Sequence, residues 1–171
     1  GLSSAVLEGL ALAQGQVLVV MDADLQHDEA ALPDLVAGIM AGHDVTIGSR
    51  AVAGGSYGSF GPLRRTVSWA GALLARTVVG VDVSDPMSGF FAVSRQHYEQ
   101  VRPALTGRGF KILLEVLACG PHPAVAEVGF VFRERSAGTT KLSPSVVVDY
   151  LTEVVELAGS RLATARLPIY T

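Results

Sequence analysis

The sequence predicts an α/β domain: a mixed, mostly parallel sheet with helices on both faces. Three observations point there. Segments with apolar residues at helical spacing alternate with short β-branched runs. One of those runs, Val17-Leu18-Val19-Val20-Met21, is continuously apolar, as in a parallel-sheet strand covered on both faces. The alternation continues to the C-terminal third, which implies one layered domain over residues 1–171.

The elements follow in order. Leu2, Ala5, Val6, Gly9, Leu10 and Ala13 share a helical face over Leu2–Gln14, and Gly15 is a natural stop. The strand Val17–Met21 comes next. Asp28 suits a capped turn, and Pro33 with Asp34 opens a helix to Met40, ended by Gly42. Asp44–Ile47 reads as a strand leading into Gly48-Ser49-Arg50. Residues 51–61 hold four glycines and read as a mobile loop. Pro62–Val79 is helical, Gly89–Val93 a strand, Arg95–Arg102 and Lys111–Ala118 helices, and Val125–Phe132 alternates as a strand. Ser136–Thr140 reads as a polar loop and Ser145–Leu162 as an amphipathic helix. The chain begins at Gly1 inside a helical pattern, so it reads as a piece whose upstream portion is absent.

Composition narrows the function. The chain is 49% hydrophobic and 17% charged, enough apolar surface for a packed core. A net charge of −3 argues against a general nucleic-acid binder. The single Cys119 makes no internal disulfide and no zinc site, which suits a reducing compartment. No run reaches the ~20 apolar residues that span a bilayer.

The sharpest local feature is Asp22-Ala23-Asp24, directly after the buried run. On extended backbone, residues i and i+2 point to one side, so both carboxylates would face one point beyond the strand end. Ligands of open α/β sheets bind at that edge. Gln26 can add an amide oxygen, and an all-oxygen set suits Mg²⁺ or Mn²⁺. The bland reading is that such aspartates cap turns. The strand before them and the Gln after them favour the metal.

Met21-Asp22-Ala23-Asp24-Leu25-Gln26-His27 resembles the metal motif of dolichyl-phosphate mannose synthases and related family 2 polyprenyl-phosphate glycosyltransferases. Further tracts match in order: Gly48-Ser49-Arg50 with Arg64 after a glycine-rich loop, Asp85-Pro86-Met87-Ser88-Gly89-Phe90-Phe91, Gly109–Glu115, and Phe132-Arg133-Glu134-Arg135 with Gly138 and Lys141-Leu142. The resemblance covers nearly the whole chain. It implies a Rossmann-like GT-A fold, with the chain as the C-terminal two-thirds of the catalytic domain. The strands that cradle the donor base would lie upstream of Gly1.

The resemblance also implies a chemistry: inverting transfer of a hexose from GDP-mannose or UDP-glucose to a polyprenyl phosphate, at the inner, cytoplasmic face of a membrane. A cation on Asp22 and Asp24 would neutralise the leaving diphosphate. The acceptor phosphate, with a second pKa of about 6, needs cations to hold it more than a base to activate it. Arg50, Arg64 (or its neighbour Arg65) and Arg135 are the expected acceptor-phosphate ligands, since guanidinium forks match phosphate oxygens. Lys141 could close over the site, and Ser88 could donate a hydrogen bond there. Asp85 would position the phosphate, orient an arginine, act as a base, or simply form an Asx-type turn. His27 reads as a surface residue or one behind the ligands, and Glu115 as the buried partner of a basic residue. Trp69, Leu73 and Leu74 read as core or membrane-facing packing, and residues 57–79 as a tract that could lie on a bilayer. Two alternatives stay open: the same fold with an undecaprenyl-phosphate or polysaccharide acceptor, and a non-catalytic phosphate-binding α/β module.

Overall fold

The computed structural model describes residues 1–58, 61–80, 82–107 and 112–133, together with Thr152 and Val155. Five α-helices lie in these stretches: α1 Leu2–Leu12, α2 Leu32–Met40, α3 Pro62–Val79, α4 Arg95–Val101 and α5 Ile112–Ala118. The strands are β1 Val17–Val20, β2 Val45–Ser49, β3 Phe91–Ser94 and β4 Val125–Gly129, in sheet order β1-β3-β2-β4. The Arg135 and Lys141 positions, the loop expected at 136–140 and most of the helix expected over Ser145–Leu162 lie outside the described residues.

The sheet is mixed, but not mostly parallel among the described strands. Strand β3 runs antiparallel to both neighbours, with Val20 opposite Phe91 and Ile47 opposite Phe91. Only β2 and β4 run parallel, Ile47 beside Glu127 and Ser49 beside Gly129. Strand direction has no signature in a short apolar run, which is why the expectation failed. Strand β1 is also an edge strand among those described, and Val19 is 37% exposed.

Helices cover both faces, as expected. On one face Leu18, Val45, Ile47, Phe91 and Val93 pack with Leu10, Ala75, Tyr98 and α5, all seven residues of which are buried. On the other, Phe90, Ala92 and Phe130 pack with Ala31, Leu35 and Ile39. The helix ends follow local chemistry. Asp28 accepts the Ala30 N–H and starts a 3-10 turn at Glu29–Ala31. Pro62 opens α3, and Gly80 closes it at φ 67°.

This topology has one consequence for function. The C-terminal ends of β1, β2 and β4 and the N-terminal entry of β3 meet at one edge of the sheet. Asp22, Arg50, residues 85–90 and Arg133 are the segments that leave or enter there. Of the loop read as mobile over residues 51–61, residues 59 and 60 lie outside the described residues, and the stretch before them is anchored at Ser56. Ser56 bridges Val131, its N–H donates to the Phe130 carbonyl, and its own carbonyl accepts the Phe132 N–H at 3.0 Å.

Candidate active site

The chain leaves β1 at Val20 and turns at Ala23-Asp24, so these two aspartates do not sit on one extended strand. What organises them is local. Leu25 takes a left-handed φ of 63°, and Asp24 Oδ1 accepts the Gln26 N–H at 3.2 Å. Asp22 remains 45% exposed and lines a cavity of about 440 Å³ with Met21, Ala23, Leu25, His27, Glu29 and Arg133.

His27 is not at the surface; of its two readings the structure gives the one that sets it behind Asp22. It is buried, stacked on Phe90 at 5.1 Å and edged by Phe130 and Phe132. Its Nδ1 accepts the Asp22 N–H at 3.1 Å. The proton of the neutral ring therefore sits on Nε2, which faces Asp22 Oδ2 at 3.9 Å. Burial is the largest influence on this imidazole and holds its pKa below the ordinary value, against the pull of the Asp22 and Asp24 carboxylates. Neutral His27 thus fixes the backbone from which Asp22 projects.

The Asp85 tract closes the other side. A Cβ at Gly89 would lie 3.2 Å from Asp22 Oδ2, so the Asp22 carboxylate rests against this turn. Asp85 is buried and grips Arg50 twice, Nε to Oδ2 and one terminal nitrogen to Oδ1, both at 2.7 Å. The Arg50 N–H also donates to Oδ2 at 3.2 Å. The carboxylate of Asp85 is thus spent on an arginine, Arg50. The Arg50 guanidinium lies over the rings of Tyr57 and Phe132, 5.4 and 5.5 Å from their centroids. Burial opposes its charge most strongly, but the hydrogen bonds and charge of Asp85 outweigh that and hold its pKa above the ordinary value. Asp22 adds to the same field, so the two acidic centres act on one cation.

Three expectations need correcting or placing. Ser88 is buried, with its hydroxyl 2.6 Å from the Gly48 carbonyl; a hydroxyl has one proton, so Ser88 ties the turn to β2 rather than donating to a ligand. Glu115 accepts from the N–H groups of Thr106 and Gly107 and from the Thr106 hydroxyl, holding a loop. Arg64 falls in the first turn of α3, and its side chain lies outside the described residues. Arg133 was not singled out from sequence. Its guanidinium pairs with Asp28 at 2.6 Å and Glu29 at 2.7 Å, and its backbone exchanges hydrogen bonds with Gln26. A basic residue two places before Arg135 was the available signal.

The donors near the β1 end are hard oxygens: the Asp22 and Asp24 carboxylates and the Gln26 side chain. That chemistry fits Mg²⁺ or Mn²⁺. Among the described residues no group of three or more His, Cys, Asp or Glu could by itself enclose an ion.

Residues 1–102 match the family described as Glycosyl transferase family 2. The chain belongs to glycosyltransferase family 2. Family members similar to it include the dolichol-phosphate mannosyltransferases of Pyrococcus furiosus, 41% identical over 92% of this chain and 45% of that protein, and of Saccharomyces cerevisiae, 42% identical over 92% and 60%. The undecaprenyl-phosphate mannosyltransferase of Micrococcus luteus is 31% identical over 90% of this chain and 65% of that protein. The chain spans about half the length of the curated relatives it matches. Its fold is GT-A-like: glucosyl-3-phosphoglycerate synthase from Mycobacterium tuberculosis, solved with Mn²⁺, UDP-glucose and phosphoglyceric acid, aligns over 93% of this chain and 55% of its own, with a TM-score of 0.65 at 20% identity.

Proposed function

We propose that the protein transfers mannose from GDP-mannose to a polyprenyl phosphate, with inversion, at a membrane surface. The observation that carries this is the juxtaposition at one sheet edge of an exposed carboxylate, Asp22, and an immobilised guanidinium, Arg50, with the Gly89 turn between them. The relatives named for dolichol- and undecaprenyl-phosphate mannose transfer support the choice of sugar and acceptor.

Asp22, Asp24 and Gln26 would hold the Mg²⁺ or Mn²⁺, which when bound supplies Lewis-acid neutralisation of the departing diphosphate. Arg50 presents the edge of its fork not given to Asp85 to the acceptor phosphate, with Arg64, Arg135 and Lys141 as further cations. An acceptor oxygen attacks the anomeric carbon as the bond to the nucleoside diphosphate breaks. Asp85 keeps Arg50 from rotating away, so ordering is completed before the substrate arrives.

The membrane is the second partner. Trp69 is 64% exposed and Leu73, one turn on, 44% exposed, so their side chains do not complete the core. Among the described residues no helix is long and apolar enough to cross a bilayer. The exposed stripe instead suits contact with lipid at the entry of the prenyl chain.

The test is transfer of labelled sugar by the intact protein to a short-chain polyprenyl phosphate. GDP-mannose should serve with Mn²⁺ or Mg²⁺ and fail with chelator. Transfer from UDP-glucose alone would reassign the donor, and no transfer to any lipid phosphate would end the reading.

A further inference from the structure

Position 127 breaks the pattern of its strand. Val125, Glu127 and Gly129 share one side of β4, and in the parallel register Val125 lies beside Val45 and Glu127 beside Ile47, both fully buried. Alternation reserves that site for an apolar side chain. The carboxylate there is not solvating itself: one oxygen accepts the Ser84 N–H at 2.8 Å and the other the Asp85 N–H at 3.2 Å. Asp85 in turn holds Arg50 by two side-chain bonds and one backbone bond. The three residues form a single file from the sheet to the guanidinium.

We propose that Glu127 is a positioning residue for acceptor use, fixing the backbone of Asp85 so that Asp85 can aim Arg50. This rests on the reading of Arg50 as an acceptor-phosphate ligand. Two consecutive N–H groups facing one carboxylate restrain both rotation and translation of the turn, which one hydrogen bond would not do. Asp22 and His27, on the donor side, make no hydrogen bond with Glu127, so its loss should be felt mainly on the acceptor side of the reaction.

The experiment is a double-mutant cycle in the intact protein, reading kcat and the KM for a short-chain polyprenyl phosphate, with GDP-mannose affinity measured separately. Glu127→Gln keeps one acceptor oxygen and sets an amide NH₂ against the second N–H. It should lower kcat/KM for the acceptor about tenfold, the size of a lost charge-assisted bond, and change donor affinity far less. In an Asp85→Asn background the same change should add little, because the residues act in series. Glu127→Asp, which keeps the charge but shortens the reach, should give an intermediate loss and serves should the Gln variant not fold. Full additivity with Asp85→Asn, equal loss of donor and acceptor affinity, or unchanged acceptor kinetics overturns the proposal. If Asp85→Asn itself leaves acceptor use intact, the acceptor reading of Arg50 fails as well. If only the Glu127 variants are silent, that reading stands without this residue.

Discussion

Arg50 and Asp85, 35 residues apart in sequence, close a two-bond fork at 2.7 Å with side chains only 13% and 3% exposed. Removing one partner would strand a buried charge. Asp85→Ala should therefore cost about 3 kcal/mol or more of unfolding free energy. Replacing both, Arg50→Met with Asp85→Leu, should cost less than Asp85→Ala alone, although the Arg50 N–H still loses its acceptor. The double variant should nonetheless be inactive towards the acceptor. Denaturant melts beside acceptor kinetics check both, and a double variant less stable than the single would contradict this.

Gly89 tests how closely the two halves of the site meet. A methyl group there would press on Asp22 Oδ2 at 3.2 Å and meet His27 Cε1 at an ordinary contact distance of 3.5 Å. The obstacle is the end of a side chain, so Gly89→Ala should cost no more than about 1 kcal/mol of stability. Displacing the carboxylate should weaken Mn²⁺-dependent donor binding roughly tenfold, as misoriented metal ligands do. Unaltered metal dependence would mean that the turn does not set the position of Asp22.

These features differ in how far they were legible. Helix α3 was readable to the residue, because Pro62 and Gly80 mark its ends by backbone chemistry alone. The place of Asp22 at the sheet edge was readable from its position after an apolar run. The antiparallel β3 was not, because strand direction depends on which neighbours pair. Burial of His27 depends on three phenylalanines, two of them more than 100 residues downstream. Glu127 left one trace, a charge at an apolar-side position of an alternating strand, and its partners at 84 and 85 could only be found in three dimensions.

The exposed stripe on α3 gives a prediction independent of catalysis. Trp69→Ser with Leu73→Ser should alter stability by no more than about 0.5 kcal/mol per site, since neither side chain is buried. Sedimentation of the intact protein with anionic liposomes should fall sharply. Undiminished sedimentation would move the membrane contact elsewhere.

The central claim is that Asp22 helps bind a donor diphosphate through a divalent cation, and calorimetry of the intact protein with GDP-mannose tests it most directly. Wild-type protein should bind with Mn²⁺ and lose that affinity on chelation, and Asp22→Ala should bind at least about tenfold more weakly whether or not Mn²⁺ is present. Full-strength, Mn²⁺-dependent binding by Asp22→Ala would contradict the account.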